Sequence, residues 1–428
     1  MSSRAPISAT QKDPWDWCAV IAVFFLALAW HRLGMPSRIY FDEVHYVKAA
    51  RLLLELKQNN PEHPPLGKEI IAAGIWLLGD KPIYWRIPSA IAGAIGLFAF
   101  ARAMWFVSGS RFATLAGQFL LATGFTWFVQ SRIAMLDMFM ACSAMLAFWM
   151  FAAAVARPEQ GRLRLAACGL FIGLALAAKW SIAPIAVLPG LLFLALKLRD
   201  TGKGFLLARH GGPVPGISLI EAALWLGALP LAIYWASFLP NFLYLDKPVS
   251  PLGFVKHHRW MLDLQDSVRK LHPYRSYWYQ WVTDWRPMWY LYEKTDGAQR
   301  GILLLGNPFS MLAGLLALVW CLWSGIREAN RPALLMAVLY LASMLFWVFN
   351  TKPIQFYYHY LMPGAFLMGG LALALDALYR QGGKARWLAY GALALSAGMF
   401  AWFYPILSAA QLQGPGAFHK WMWLKSWI

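Results

Sequence analysis

Long apolar stretches separated by short polar breaks set the pattern of this chain. A helix that crosses a bilayer needs about 20 mostly apolar residues, and the pattern predicts about eleven of them. They fall at approximately 15–33, 86–106, 112–130, 134–156, 163–178, 180–198, 217–239, 301–324, 332–349, 356–378 and 386–409. The fifth and sixth are short and divided only by Lys179-Trp180-Ser181, so they also read as one hairpin. Two longer polar segments, 34–85 and 240–300, interrupt the series. In the first, Val47, Ala50, Leu53 and Leu54 line one face of a helical stretch and Lys48, Arg51 and Glu55 another, which predicts a helix lying in the interface. A second interfacial helix is predicted over Lys68–Leu78, behind the rigid pair Pro64-Pro65. The expected architecture is a single all-α polytopic membrane domain over 1–428, with interfacial helices in the first loop and a second long loop. No repeat of fixed period and no low-complexity linker stands out, and the Gly- and Pro-rich stretch 200–216 reads as an ordinary connection.

Basic residues orient such a body, because Lys and Arg in short loops stay in the cytoplasm. Arg4 and Lys12, then Arg111, then Arg157, Arg162 and Arg164, then Lys197, Arg199, Lys203 and Arg209, then Arg327 and Arg331, then Arg380, Lys384 and Arg386 fall in alternate loops. These belong to one side. The loops 34–85 and 240–300 then face outward, the N-terminus is cytoplasmic, and an odd number of spans puts the C-terminal tail outside. There Lys420, Trp421, Trp423, Lys425 and Trp427 read as an interfacial anchor. The first apolar run has no Ala-x-Ala cleavage site and reads as an uncleaved signal anchor.

Composition agrees with a membrane protein. The chain is 60% hydrophobic and 14% charged, whereas soluble domains are about half apolar and about a quarter charged. The net charge of +18 sits largely in short loops, where it meets anionic lipid, and no nucleic-acid motif accompanies it. Cys18, Cys142, Cys168 and Cys321 lie inside apolar runs without ligand spacing and read as small buried residues.

The densest chemistry follows the first span, in Tyr40-Phe41-Asp42-Glu43-Val44-His45-Tyr46. Adjacent carboxylates at a membrane surface are costly to bury unless used or paired. They suit a general base toward a hydroxyl or a metal ligand, and they equally suit the N-terminus of the next helix. Further on, Lys68 behind Pro61-Glu62-His63-Pro64-Pro65-Leu66-Gly67 reads as a surface cation or a phosphate contact. In the second loop His257, His258, His272, Asp263, Asp266, Asp284 and Glu293 offer metal-ligating types, but no spacing fits a zinc motif. The sequence demands no cofactor. A divalent cation, Mg2+ or Mn2+, stays open and its ligands unknown.

Asp42-Glu43 after the first span, followed by His63-Pro64-Pro65-Leu66-Gly67-Lys68 and Arg86-Ile87-Pro88-Ser89-Ala90, resembles the protein O-mannosyltransferase family. Ser131-Arg132-Ile133-Ala134-Met135-Leu136-Asp137 and Lys179-Trp180-Ser181 continue the likeness. So do His272-Pro273-Tyr274-Arg275-Ser276, Trp281, Arg286-Pro287, Tyr290 and Leu305-Gly306-Asn307-Pro308, which are similar to bacterial members. The ordered set spans nearly the whole chain.

The resemblance implies a C-type glycosyltransferase fold in a bacterial inner membrane, with its active site facing the periplasm. It implies inverting transfer of mannose from a polyprenyl-phosphate-mannose donor to Ser or Thr of secreted or membrane proteins, met through the translocation machinery. Asp42 matches the catalytic aspartate, which takes the proton from the acceptor hydroxyl, and Glu43 its acidic neighbour. A phosphodiester leaving as a phosphate monoester gains charge, so cations aimed at it lower the barrier. Arg86, Arg132 and Lys179, with Lys68 and His63 behind them, are the candidates for that donor-phosphate role. Asp137 is a candidate partner orienting Arg132, and His272, Tyr274 and Arg286 are candidates on the acceptor side. The second long loop has no lectin-like insertion of the eukaryotic kind. A relative with a lipid or glycan acceptor would share the donor side. A transporter would carry charge at span centres, where this chain has almost none, and an inactive scaffold would tolerate Asn at position 42.

Overall fold

The computed structural model describes residues 11–267, 272–350, 352 and 354–428. Arg4, one of the orienting residues, lies outside them. From the N-terminus the helices are α1 (Trp15–Trp30), α2 (Glu43–Leu54), α3 (Leu66–Leu78), α4 (Pro82–Ser108), α5 (Arg111–Ala122), α6 (Phe125–Gln130), α7 (Asp137–Ala156) and α8 (Gly161–Ala178). After them come α9 (Ala183–Ala186), α10 (Leu188–Thr201), α11 (Leu219–Ala223), α12 (Leu229–Ala236), α13 (Leu239–Phe242), α14 (Phe254–Ser267) and α15 (Trp278–Val282). Strands β1 (Met288–Thr295) and β2 (Ala298–Leu304) precede α16 (Pro308–Arg327), α17 (Arg331–Phe349), α18 (Leu361–Gln381) and α19 (Gly383–Leu407).

Among the described residues nine helical segments are long and apolar enough to cross a membrane, and α1, at 16 residues, is a shorter apolar helix. The expected span 112–130 is broken: Thr123 and Gly124 separate α5 from α6, so two short helices replace one long one. The expected span 301–324 starts late, at Pro308, because 301–304 belong to a strand. Asn307, three residues past the strand, caps the helix, its side chain accepting from the Ser310 amide, with Pro308 at the first helical position. Asn330 caps α17 in the same way through the Ala333 amide.

The body is helical as expected, and one short two-stranded ribbon is added to it. β1 and β2 pair antiparallel across Asp296-Gly297, both at positive φ (50° and 72°). An Asp-Gly pair between runs of aromatic and aliphatic residues is a strong hairpin signal, and here it stood unread beside the longer apolar period. The strands are buried at their loop-distal ends, so the ribbon is a wall of the protein rather than a free flap. The aromatic tail behaves differently from an interfacial anchor. Trp421 and Trp427 are buried, with indole N–H groups donating to Trp402 O (2.8 Å) and Asp284 O (2.6 Å), while Trp423 stays exposed.

Interior packing relies on small residues. A Cβ on Gly96 would meet the Trp127 ring at 2.9 Å, and the Trp127 indole N–H donates to Gly93 O at 3.1 Å, which draws α6 onto α4. Close backbone approach of this kind substitutes for the hydrophobic drive that a bilayer does not supply. At 12 and 13 residues α2 and α3 are too short to span, as expected of interfacial helices, and they pack on each other and on α4.

Candidate active site

Phe41 turns the chain with φ +50°, and Asp42 follows at the N-cap position of α2. Its side chain makes no capping bond, and among the described residues it accepts no hydrogen bond at all. The carboxylate is half-buried. Burial pushes its pKa up to about 6, against the lowering charges of Lys179 and His45, and Asp137 adds to the rise. A half-buried carboxylate that no protein donor satisfies, held near neutrality, is poised to take a proton.

Glu43 has the opposite environment. It is fully buried and receives both faces of the Arg86 guanidinium, at 2.7 Å from Nε and 2.9 Å from Nη2. The amides of Tyr40 (3.3 Å) and Ala134 (3.1 Å) complete its shell. Arg86 spends its remaining N–H groups on the carbonyls of Leu33, Pro36 and Arg38, and its guanidinium lies 4.7 Å from the Tyr40 ring centroid. The pair therefore ties the α1–α2 connection to α4 and to the chain before α7. All five guanidinium donors are used, which leaves none for a phosphate.

Arg132 is similarly engaged. Its Nη1 donates to Ala29 O and, at 2.7 Å, to His31 O, and its Nη2 to Arg32 O (3.2 Å) and Ser408 O (3.4 Å). It thereby satisfies the orphan carbonyls at the end of α1, where a cation is also favoured by the helix dipole. Asp137, the first residue of α7, bonds not to Arg132 but to Lys179, whose Nζ lies 2.8 Å from both carboxylate oxygens. The ammonium also lies 4.6 Å from the Tyr358 ring centroid. One of its three donors remains.

Lys68, buried, holds the loop before it through Asn60 O and His63 O (2.8 Å), and burial lowers its pKa to about 7. His63 packs on Tyr46, with ring centroids 6.1 Å apart. Its pKa is held well below the usual histidine value by burial first, then by the charges of Lys179, Lys68, Lys352 and His45. Lys179, Lys68 and Lys352 thus form a group of cations around His63, and Lys179 also pairs with Asp137 and acts on Asp42. Lys352 is half-buried, and its pKa is lowered by burial and by Lys179. Sequence reasoning missed Lys352. The signal was a lysine in the polar break Asn350–Pro353 between two apolar runs, which reads alone as an ordinary interfacial cation.

The other candidates on the second loop lie apart from this group. His272 accepts from the Tyr274 amide (3.1 Å) and sits edge-on to Phe356, and Arg286 donates to Pro273 O (2.8 Å). Their bonds hold the loop to itself and to the segment before α18. Of the metal-ligating types, His258 bonds Tyr234 (2.6 Å), Glu293 pairs with Arg38, and Asp284 is buried against Tyr357 and the Gly306 amide. Among the described residues no three His, Cys, Asp or Glu side chains converge on one point.

From Asp137 and Tyr358 a small cavity of about 20 Å³ leads between α7, α9 and α17, past Met140, Ser181, Ser343 and Trp347. A separate apolar cavity of about 800 Å³ lies between α4, α7, α10 and α17, walled by Phe100, Met145, Phe148, Leu188, Leu339 and Phe366.

Residues 19–245 match the family described as dolichyl-phosphate-mannose-protein mannosyltransferase, and 252–427 match the C-terminal four-transmembrane region of protein O-mannosyltransferase. The chain belongs to the protein O-mannosyltransferase family. A polyprenol-phosphate-mannose–protein mannosyltransferase of Mycolicibacterium smegmatis is 27% identical over 96% of this chain and 93% of its own length. One of Corynebacterium glutamicum is 28% identical over 87% of this chain and 84% of its own. In fold, the chain is similar to the Saccharomyces cerevisiae Pmt1-Pmt2 complex bound to its sugar donor (TM-score 0.85, 14% identity, 99% of this chain and 94% of that one). It is also similar to ArnT of Cupriavidus metallidurans bound to undecaprenyl phosphate (TM-score 0.59, 16% identity, 92% and 77%). This member of the family is thus a polytopic membrane glycosyltransferase, a mannosyltransferase acting on protein, and its Asp42 site lies within the first matched region.

Proposed function

We propose that the enzyme moves mannose from polyprenyl-phosphate-mannose to a Ser or Thr hydroxyl of a secreted or membrane protein, with Asp42 as the base. The observation that carries this is the contrast between neighbours: Glu43 is saturated by Arg86, while Asp42 is half-buried, free of protein donors and raised toward neutrality. Asp42 takes the proton of the acceptor hydroxyl, and the hydroxyl oxygen attacks the anomeric carbon from the face opposite the phosphate. The bond between that carbon and the phosphate oxygen breaks, and its electron pair leaves with the polyprenyl phosphate. The anomeric configuration inverts.

The leaving phosphate gains charge, and the cations near it are Lys179, with one donor left beyond Asp137, and Lys352. Arg86 and Arg132 act as struts, because their N–H groups are committed to protein atoms. Lys68 and His63 shape the wall. The cavity between α4, α7, α10 and α17 takes the prenyl chain, an apolar slot for an apolar tail. Basic residues in alternate loops put this site on the outer, periplasmic face of a bacterial inner membrane, with the N-terminus inside, the C-terminus outside and the acceptor delivered by translocation. The whole chain, 1–428, works as one domain, with 34–85 carrying the base and β1 of the second loop packed on the turn before it. His272, Tyr274 and Arg286 stabilise that second loop, on the acceptor side.

The decisive test supplies purified enzyme in nanodiscs with polyprenyl-phosphate-mannose and a Ser/Thr-rich peptide. Mass spectrometry is expected to find one added hexose. Hexose on lipid and none on peptide would move the acceptor class.

Two further outcomes are expected. Since the Asp42 carboxyl is raised to about 6, it is protonated below that pH and cannot act as base, so kcat/KM should fall about tenfold per pH unit below it and level off above. A profile flat between pH 5 and 7.5, with the fold intact, would remove Asp42 from the chemistry. Lys352→Ala should lower kcat/KM for the donor by roughly ten- to a hundredfold, the worth of a hydrogen bond to a charged group, with little change in peptide KM. An effect confined to peptide KM would place Lys352 on the acceptor side.

A further inference from the structure

Tyr290 lies on β1, and the proposed reaction gives it no part. Its burial is nearly complete, at 4% exposure, and among the described residues its buried hydroxyl has no hydrogen-bond partner. An orphaned phenol in so dry a place costs free energy that a fold does not keep without use. It is also the extra residue of a β-bulge: Trp289 pairs with Leu303 and Leu291 with Ile302, so Tyr290 has no partner across the ribbon. Bulges re-aim a side chain out of the regular alternation. Here the ring is turned onto Phe41, stacked with centroids 4.2 Å apart and planes 18° from parallel. Phe41 is the residue at φ +50°, an unfavourable conformation for a bulky side chain, immediately before Asp42.

The stack on Phe41 sets the ring beside the turn that carries Asp42. Burial first, then the charges of Asp137 and Asp42, hold the hydroxyl protonated far above neutral pH. It is therefore a neutral donor within the field of both carboxylates. A phosphate oxygen there would be repelled by Asp42 and Asp137. A neutral hydroxyl fits, since it can accept from the phenol and donate to a carboxylate. Tyr290 is 4% exposed and Asp42 half-buried, so a group that bonds the phenol lies deeper than one that reaches Asp42 from solvent, which suits the sugar of the donor better than the acceptor hydroxyl.

We propose that Tyr290 is a sugar-binding residue: its hydroxyl donates to a hydroxyl of the mannosyl group of the bound donor, while its ring holds the Phe41 turn that presents Asp42. This rests on the donor assignment above. It makes the ribbon of the second loop part of sugar recognition.

The test compares wild type, Tyr290→Phe and Tyr290→Ala in nanodiscs, measuring affinity for polyprenyl phosphate and for polyprenyl-phosphate-mannose, together with thermal unfolding and turnover. Phe keeps the stacked ring and removes only the hydroxyl. Tyr290→Phe is expected to bind polyprenyl phosphate as wild type does, to unfold at the same temperature, and to lose roughly ten- to a hundredfold in kcat/KM or affinity for the mannosylated lipid. Tyr290→Ala should lose more, because the Phe41 turn loses its clamp as well. Equal weakening of both lipids by the Phe variant, or no change in either, overturns the proposal. So does a loss that appears only in peptide KM. If wild type itself fails to prefer the mannosylated lipid, the donor assignment falls first and the role of Tyr290 with it.

Discussion

Asp42→Asn is expected to lower turnover by roughly 10²–10⁴-fold, the range that a positioned general base contributes, while folding and donor binding stay near wild type. The amide matches the carboxylate in shape, and among the described residues no protein donor bonds to Asp42, so no native hydrogen bond is lost. What disappears is the capacity to take a proton. Removing a half-buried charge also removes its desolvation, so the melting temperature should be equal or slightly higher. Single-turnover transfer to a Ser/Thr-rich peptide, set beside a donor-binding titration, measures both halves. Wild-type turnover in the variant would end the assignment of Asp42 as base.

Glu43→Ala should act through the fold. It leaves the Arg86 guanidinium, fully buried, with no counter-charge and two donors unpaired. Breaking such a pair on one side costs about 3–5 kcal/mol, and the α1–α2 connection that presents Asp42 is what the pair holds. Thermal unfolding in detergent should show the loss plainly. Glu43→Met combined with Arg86→Met is expected to recover part of it, because an apolar pair of similar volume removes the uncompensated charge. If Glu43→Ala instead unfolds at the wild-type temperature yet is inactive, Glu43 takes a direct chemical part and the strut assignment fails.

The two adjacent carboxylates show how far each kind of information reaches. Asp42 and Glu43 look alike in the chain, and either reads as base, cap or ion-pair partner. Arg86 stands 43 residues downstream, at a position whose snorkelling and phosphate-binding interpretations are equal on sequence grounds. Only the approach of α4 to the α1–α2 connection pairs Arg86 with Glu43 and leaves Asp42 without a donor. Arg132 makes the same point. It lies close to Asp137 in the chain, but its side chain turns to the end of α1, because three bare carbonyls there, with Ser408 O, outweigh one carboxylate that Lys179 already holds.

The spans, the two long loops and the short amphipathic helices of the first loop were legible from period and length, because a bilayer forces backbone bonds to close within each segment. The order of motifs indicated the family as well. Local signals were legible but outweighed in two places. Asp296-Gly297 announced the ribbon that an apolar run concealed, and Thr123-Gly124 marked the break inside a stretch long enough to span. Trp421 and Trp427 could not be assigned from the tail alone, since an interfacial tryptophan and one plugging a loop share the same neighbours in sequence. The sequence by itself therefore determined the membrane class, the family and the segment of adjacent carboxylates, all of which depend on residue type and spacing within about 20 positions. The tertiary structure decided which charges are spent on one another and which remain for substrate. That partition, with Lys352 beside Lys179 and the Tyr290 hydroxyl left over, depends on side chains that meet from distant segments, and no local period records it.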